Sequence, residues 1–235
     1  AVREGTAQFD EYFLSQVRSW RERLAQDIHG NNSGPSAVEL TFFAQRILNR
    51  LIFLRICEDR ELEKYETLLK LGDKNVYEGL KTLLTQADKK YNSGLFDLLN
   101  DPTTKLKVSD ETLHGIIEEL YYPKSPYTFA VVEASVLGDI YELFLGSQLE
   151  IDRQSNLFVA DKPEVRASGG VFPTPKYIVD AIVDRTLSPS LAESNGDRVL
   201  TTLDMCCGSG VFLLAAYERL LAHYIELYKK NPGEH

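Results

Sequence analysis

The most constraining feature of the sequence is a short glycine-bearing turn between an apolar segment and an amphipathic helix. The stretch LDMCCGSGVFLLAA runs from Leu203 to Ala216, and its acid, Asp204, follows the apolar segment at once. Gly208 and Gly210 let backbone N–H groups approach a ligand without interference from side chains. Strand, glycine turn and helix form the arrangement that brings a cofactor against the N-terminus of a helix.

The residue types in this turn suit a ligand that carries both signs of charge. The N-terminus of a helix presents unpaired N–H groups and a partial positive charge, which favour a carboxylate or a phosphate. Asp204 offers a negative charge to an ammonium or hydroxyl group. S-adenosylmethionine carries an amino group and a carboxylate, so it suits an acid beside a helix N-terminus. The alternative is a generic strand–turn–helix unit whose glycines serve only packing.

The first half of the chain has the patterns of helices. Apolar residues recur at three- and four-residue steps from Phe9 to Ile28, which predicts an amphipathic helix. Ser36 lies three residues before Glu39, as in a capping box that begins a second helix. This helix runs to about Glu61 and is apolar on most sides, so we expect it at the centre of its domain. Its charged end, Arg55 to Arg60, is expected at the surface.

Shorter elements and a domain boundary follow along the chain. Helices are predicted over residues 62–71, 74–91, 110–121 and 132–145. Two alternating segments, Gln148–Asp152 and Leu157–Ala160, predict a β-hairpin. We place the boundary after residue 165, so that residues 1–165 form a helical connector domain with a small C-terminal β-hairpin and residues 166–235 begin a second domain.

The pattern after this boundary is that of an α/β protein. Thr174 and Pro175 suit the N-cap and the first position of a helix. A polar loop is expected over residues 188–197, a strand over Arg198–Met205, and a helix over Val211–Lys230. One strand cannot form a sheet. The expected fold is therefore a mostly α-helical domain followed by the first strand–helix unit of a Rossmann-like α/β domain, which is truncated in this chain.

Charge and cysteine content limit the classes of protein and site. The net charge is −9 and the isoelectric point is near 5.0, whereas a self-sufficient DNA-binding domain is usually basic. A groove for nucleic acid, if the protein has one, is expected to lie mostly outside this chain. The three cysteines have no C-x-x-C spacing, which indicates neither a zinc site nor a disulfide framework and favours a reducing cytoplasm. No apolar run has the length of a membrane span, so no membrane partner is expected.

Four segments together resemble a known family of enzymes. LDMCCGSGVFLLAA resembles motif I of the amino-methyltransferases that act on DNA adenine, usually LDPACGSGSFLLAA, and GVFPTPKYIV at residues 170–179 resembles their motif X, usually GxYYTPxxIV. Motif X before motif I is the gamma order of these motifs. LNRLIFLRICEDREL at residues 48–62 and LGDIYELFLG at residues 137–146 resemble the helical region that precedes motif X in type IIG restriction-modification enzymes and phage-exclusion methylases.

This resemblance implies S-adenosylmethionine as the cofactor and assigns residues to it. The implied cofactor-binding residues are Phe172, Thr174, Pro175, Asp204, Cys207, Gly208, Ser209 and Gly210. The Thr174 hydroxyl would reach the carboxylate of the cofactor, or alternatively cap its own helix. The chain departs from the usual motifs at Met205, Cys206 and Pro173, where proline, alanine and an aromatic residue are common. Pro173 lacks both a ring and an N–H, so part of the motif X contact is in doubt.

The resemblance also implies a reaction: site-specific transfer of a methyl group to adenine N6 in double-stranded DNA. These enzymes hold the flipped adenine with an NPPY or NPPF motif, which is absent here, so no catalytic residue is assigned. Asn231–Gly233 is interpreted as a helix stop. We expect a fragment that is inactive alone, from a restriction-modification protein whose chain can also carry a restriction or specificity domain. The alternatives are a methyltransferase for RNA or protein and a non-catalytic helical interaction module.

The remaining candidate side chains favour structural roles. The four histidines show no spacing typical of metal ligands, so no metal site is predicted. Cys57 is expected to pack in the core. Arg46, Arg50 and Arg55 could contact phosphates, although helix-surface ion pairing with Glu58 and Asp59 is the alternative.

Overall fold

The computed structural model describes residues 2–91, 94–126, 128–131, 138, 140, 144, 146–152, 157–163, 165, 174–193 and 200–230. The chain divides into two compact units, which comprise Ala1–Glu133 with Phe144–Gly169 and Ala134–Leu143 with Gly170–His235. The described part of the chain is mostly helical, as the sequence predicts. The assignment of residues 1–165 and 166–235 to two functional domains stays a prediction.

Two long helices, α1 (Val2–Asn31) and α2 (Ala37–Asp59), pack against each other in the first unit. The predicted amphipathic stripe of α1 is confirmed where side chains are described. Its buried members are Phe13, Val17, Trp20, Leu24 and Ile28. Burying each side chain of this size contributes about 1.5–3 kcal/mol. The apolar stripe therefore fixes the face that α1 presents to the core.

The helix α2 begins with the predicted capping box and is buried over most of its length. The Ser36 hydroxyl accepts a 3.3 Å hydrogen bond from the Glu39 N–H, and the Glu39 carboxylate accepts one of 2.9 Å from the Ser36 N–H. These reciprocal bonds satisfy two N–H groups at the helix start. The Cys57 side chain is buried in this helix, as expected, and burial raises the pKa of its thiol.

The prediction of a charged surface at the end of α2 was wrong for Arg55 and Glu58, which are only 2% and 3% exposed. The Arg55 guanidinium donates a 3.0 Å hydrogen bond to the Leu120 carbonyl, pairs with Asp59, and lies 4.3 Å from the centroid of the Tyr121 ring. A buried charge is tolerated when such partners replace water. The local sequence does not reveal Leu120 and Tyr121 as partners, because they come from a distant segment.

The predicted helix over residues 62–71 was also largely wrong. Turns fill most of this segment, and only Leu69–Leu71 forms a 3-10 helix. Glu61 and Glu66 have φ values of 59° and 65°, which an α-helix cannot accommodate. The segment instead folds around the Glu58 carboxylate, which accepts hydrogen bonds from the Glu66 and Leu68 N–H groups at 3.0 and 2.9 Å.

Shorter elements complete the first unit. The helices are α3 (Val76–Tyr91) and α4 (Asp110–Glu118), with 3-10 turns at Pro102–Lys105 and Phe129–Val131. The strands β1 (Ser147–Ile151) and β2 (Leu157–Asp161) pair antiparallel, which confirms the predicted hairpin.

The hairpin is attached to both long helices. The Arg21 guanidinium, buried in α1, donates to the Ser147 hydroxyl at 2.8 Å and to the Ser147 carbonyl at 3.1 Å. The Leu149 N–H donates to the Thr41 hydroxyl at 3.0 Å. Burial lowers the pKa of Arg21 to about 10. The hairpin thus forms part of the first unit.

In the second unit, the α-helices α5 (Lys176–Glu193) and α6 (Val211–Lys230) pack on each other. The bounds of α6 are those predicted. The loop expected from residue 188 was wrong at its start, because α5 continues past Pro189. Burial of Leu191 and a 2.9 Å hydrogen bond from Arg219 to the Ser188 hydroxyl hold this last part of the helix in place.

The predicted strand over Arg198–Met205 is not formed in its described part, residues 200–205. An extended segment becomes a strand only when a neighbouring strand takes its backbone hydrogen bonds. Within the described residues of this unit there is no second strand. Leu203 and Met205 are accordingly 85% and 87% exposed. Residues 198 and 199 lie outside the described ranges.

Candidate cofactor site

The glycine turn that precedes α6 is closed by its own hydrogen bonds. The Asp204 carboxylate accepts a 3.0 Å hydrogen bond from the Cys206 N–H, which forms an Asx turn. The Cys207 carbonyl accepts one of 2.6 Å from the Gly210 N–H. Gly208 and Gly210 have φ values of 51° and 82°, a region that side-chain-bearing residues rarely adopt. Both positions therefore favour glycine over a residue with a side chain.

The glycine turn continues directly into the first turn of α6. The Gly210 carbonyl accepts a 2.9 Å hydrogen bond from the Leu214 N–H, so the helix begins at the last residue of the turn. A helix of 20 residues places a partial positive charge at this end. The turn and the positive end of the helix thus form one continuous piece of backbone.

The predicted residues of this turn are open to a ligand. Cys207 and Gly208 are exposed, and Asp204, Ser209 and Gly210 are half-buried. One carboxylate oxygen of Asp204 holds the Cys206 N–H, so the orientation of the carboxylate is set before any ligand binds. The N–H group in this hydrogen bond belongs to Cys206, which from the sequence alone is only a departure from the usual motif.

Thr174 and Pro175 lie immediately before α5 and are exposed. The Pro175 carbonyl accepts hydrogen bonds from the Ile178 and Val179 N–H groups at 2.9 and 3.2 Å, which begins the helix. Within the described ranges, no hydrogen bond engages the Thr174 hydroxyl, so its predicted role as a cap of its own helix is not formed. Phe172 and Pro173 lie outside the described residues.

The two helices that begin at these segments are joined by their side chains. Asp184 in α5 forms a 3.0 Å ion pair with Arg219 in α6. Val179 and Val183 of α5 and Ala216 of α6 are buried. The structure therefore gathers Asp204, Cys207, Gly208, Ser209 and Gly210 into one turn. It sets Thr174 and Pro175 at the start of the adjacent helix, with no hydrogen bond to the turn among the described residues.

One residue near the turn is not among the site residues predicted from the sequence. Gly138 is helical and buried, and a Cβ atom added to it would lie 3.0 Å from the Ser209 Cβ. The motif LGDIYELFLG contains this glycine, but only the fold reveals which residue it approaches. A small residue in a segment of mostly bulky residues, which the sequence predicts to be helical, is the signal that could have indicated a close contact.

The arginines considered as phosphate contacts are engaged within the first unit. Arg50 is 1% exposed and donates to the Leu95 carbonyl at 2.8 Å and to the Thr103 hydroxyl at 2.9 Å. Arg50 and Arg46 both pair with Asp101. Arg55 is buried as described above. The predicted ion pairing with Glu58 and Asp59 is therefore correct for Arg55, whereas Arg46 and Arg50 pair with Asp101 instead.

Asp101 pairs with both Arg46 and Arg50 beside the 3-10 turn Pro102–Lys105. Burial favours the neutral form of its carboxyl group, but hydrogen bonds from Arg46 and Thr103 outweigh this effect. The pKa of Asp101 consequently lies below its ordinary value. The carboxylate is charged at neutral pH and serves the packing of α2 against the following loops.

The described residues contain no group of three or more histidine, cysteine, aspartate or glutamate side chains that could hold a metal ion. None of their helices is long and apolar enough to cross a membrane.

Comparison with known proteins gives two relatives. The chain is 34% identical over 224 residues to the type II restriction enzyme and methyltransferase RM.Eco57I of Escherichia coli, a match that covers 94% of this chain. It is 38% identical over 56 residues, or 24% of the chain, to the adenine-specific methyltransferase PglX of Streptomyces coelicolor. The resemblance to restriction-modification adenine methyltransferases that the motifs predict is thereby confirmed.

These methyltransferase relatives are much longer than the matched regions. The match covers 22% of the length of RM.Eco57I and 4% of the length of PglX. No family model matches the chain, and a search of solved structures gives no significant match.

Proposed function

We propose that the protein to which this chain belongs transfers a methyl group from S-adenosylmethionine to adenine N6 at specific sites in double-stranded DNA. The chain supplies a helical connector and the first part of the cofactor-binding domain. The observation that carries the proposal is the turn Asp204–Gly210, in a chain related to restriction-modification methyltransferases. We further propose that the protein is of the type IIG class and acts in a reducing cytoplasm, which suits its free cysteines.

The groups in the turn match the two charged ends of the methionine part of this cofactor. The open backbone of the turn and the start of α6 suit the carboxylate, because both present N–H groups with a partial positive charge. The half-buried Asp204 carboxylate suits the ammonium group. When bound, S-adenosylmethionine supplies an electrophilic methyl group.

The other predicted residues then take subsidiary roles. The Thr174 hydroxyl donates to the carboxylate of the cofactor, and Phe172 and Pro175 belong to the segment that closes over it. Gly208 and Gly210 hold the backbone in its tight path. Ser209 and Cys207 complete the surface of the turn. No described residue is assigned to the transfer step itself.

An α/β domain of the Rossmann-like kind is proposed for the second unit. The helix α6 exposes an apolar stripe at three- and four-residue steps, formed by Leu214, Tyr217, Leu221, Ile225 and Tyr228. The segment before it exposes Leu203 and Met205. In α/β domains, helices bury such a stripe against a sheet. This arrangement supports the assignment of residues 166–235 to the N-terminal part of a methyltransferase domain.

The substrate proposal also accounts for the acidic charge of the chain. A net charge of −9 opposes tight binding to DNA phosphates. We therefore assign the DNA cleft and the recognition of sequence to other parts of the protein. A restriction or specificity domain in the same protein is proposed because the relative RM.Eco57I is named as both a restriction enzyme and a methyltransferase.

The test is methyl transfer by the natural gene product, expressed from its start codon to its stop codon. Radiolabelled S-adenosylmethionine would be supplied with unmethylated duplex DNA, RNA of the same sequence, or protein, and the modified base would be identified by mass spectrometry of nucleosides. We expect label in duplex DNA as N6-methyladenine. At S-adenosylmethionine concentrations below the KM, Asp204→Ala should lower the rate of labelling by about tenfold or more, whereas Asp73→Asn, a change at an exposed acid of the first unit, should not.

Each other outcome contradicts a defined part of the proposal. Label in RNA or protein would overturn the substrate assignment but keep the cofactor. An intact, folded gene product without label in any acceptor and without affinity for S-adenosylmethionine would favour the non-catalytic interaction module.

A further inference from the structure

We propose that Gly138 is a positioning residue for the cofactor-binding turn. Only a residue without a side chain at position 138 leaves room for Ser209 in its present place. This inference rests on the proposed function of the turn. Both residues belong to the second unit, although they are distant in sequence.

The evidence is the close approach of Gly138, a helical residue, to Ser209 in the turn. Gly138 is buried, and a Cβ atom built on it would lie 3.0 Å from the Ser209 Cβ, 3.1 Å from the Ser209 Oγ and 3.7 Å from a methyl group of Val211. Carbon atoms pack best at about 3.5–4.0 Å. Any side chain at position 138 would therefore push Ser209 away from its present place.

The direction of the consequence follows from the local backbone. Ser209 lies between Gly208 and Gly210, whose positive φ values permit few other residues. The Gly210 N–H is fixed to the Cys207 carbonyl at 2.6 Å. A displacement of Ser209 therefore moves the backbone N–H groups of the turn, rather than being absorbed by one flexible side chain. Gly138 affects the cofactor only through Ser209 and touches no reacting atom.

The test uses Gly138→Ala in the natural gene product. Alanine is a better helix former than glycine, so helix propensity alone predicts equal or greater stability for this variant. We expect the affinity for S-adenosylhomocysteine, measured by calorimetry, to fall by about tenfold or more. In kinetic assays the KM for S-adenosylmethionine should rise, while the KM for DNA stays unchanged.

Two control variants separate this effect from general overpacking. Gly79→Ala places a Cβ 2.8 Å from a methyl group of Leu71 in the first unit, and Gly30→Ala meets nothing within 4 Å. Neither should change the affinity for S-adenosylhomocysteine. The reciprocal variant Ser209→Gly removes the side chain that clashes. The double variant Gly138→Ala/Ser209→Gly should therefore bind as tightly as Ser209→Gly alone.

A second readout does not depend on the cofactor. Cys206 and Cys207 are exposed beside Ser209, whereas Cys57 is buried. Their rate of reaction with Ellman's reagent reports the position of the turn, and Gly138→Ala should change the rate of this fast pair while Gly79→Ala does not.

The outcomes distinguish the inference from the function on which it rests. Wild-type affinity in Gly138→Ala, or a loss that Ser209→Gly does not relieve, would overturn the positioning role. A wild-type protein that binds neither S-adenosylmethionine nor S-adenosylhomocysteine would overturn the proposed function and the role of Gly138 in cofactor binding. The thiol rates would then still decide whether Gly138 sets the place of the turn.

Discussion

The Tyr121 hydroxyl donates a 2.6 Å hydrogen bond to the Glu58 carboxylate inside the first unit. The same carboxylate accepts from the Glu66 and Leu68 N–H groups at 3.0 and 2.9 Å. Burial, reinforced by the hydrogen bond to Glu58, raises the pKa of Tyr121 far above its ordinary value. A buried acid at the end of α2 therefore organises a loop that has almost no secondary structure of its own.

We expect Tyr121→Phe to lower the free energy of unfolding by about 1–3 kcal/mol, because it removes a hydrogen bond to a buried charge. Urea denaturation followed by circular dichroism would measure the change. Tyr122→Phe is the matched control, since the neighbouring side chain is 85% exposed. Equal effects of the two substitutions would show that the bond to Glu58 contributes nothing.

Removing the Asp101 carboxylate leaves two arginines without their acid, and Arg50 is buried. We expect Asp101→Asn to destabilise the protein by about 3–5 kcal/mol at pH 7. Because the pKa of Asp101 is lowered in the folded state, its contribution is complete above its unfolded value of 3.8 and is lost as the pH falls through the lower folded value.

The stability difference between wild type and Asp101→Asn should therefore stay constant from pH 7 to about pH 5 and shrink only below 3.8. Urea midpoints measured over this range would test it, with Asp73→Asn as the exposed control. A difference that already declines between pH 7 and pH 5 would contradict this linkage.

At the turn, Asp204→Asn and Asp204→Ala separate charge from geometry. Asparagine keeps an oxygen that can accept from the Cys206 N–H, whereas alanine does not. Both should weaken binding of S-adenosylmethionine by about tenfold or more, because the ammonium group loses its charged partner. Only Asp204→Ala should alter the reaction rate of the Cys206 and Cys207 thiols. Unchanged calorimetric affinity in Asp204→Asn would exclude the carboxylate from cofactor binding.

The backbone of the turn gives a further expectation. Gly210 has a φ of 82°, so Gly210→Ala should destabilise the second unit by about 1–2 kcal/mol. Thermal unfolding monitored at several wavelengths would measure this loss. Gly30→Ala, at an uncrowded position in α1 without a positive φ, is the control and should leave the transition in place. The prediction fails if both substitutions leave the melting curve unchanged.

Features that depend on neighbouring residues were predictable from the sequence. The stripe Phe13 to Ile28, the capping box at Ser36 and the bounds of α6 follow from periodicity and local hydrogen bonding. The hairpin is also confirmed, because alternation and a short connection specify it. The residues of the glycine turn lie together for the same reason, since they are adjacent in the chain.

Features that depend on distant partners were not predictable in this way. Arg55 lies in a charged stretch of sequence that predicts a surface position, and only the fold shows its contacts with Leu120 and Tyr121. The strand before the glycine turn needs a neighbouring strand to take its hydrogen bonds. The contact between Gly138 and Ser209 joins two segments that no short-range pattern connects.

Three arginines of α2 have a consequence for how this sequence can vary. Arg46, Arg50 and Arg55 donate hydrogen bonds to the carbonyl oxygens of Gly94, Leu95 and Leu120. Every amino acid carries that oxygen, so these contacts depend on the backbone conformation of the loops and not on their side chains. Much of the loop sequence can therefore change while the arginines are kept. Divergent homologues should retain these arginines even where the residues that accept their hydrogen bonds differ.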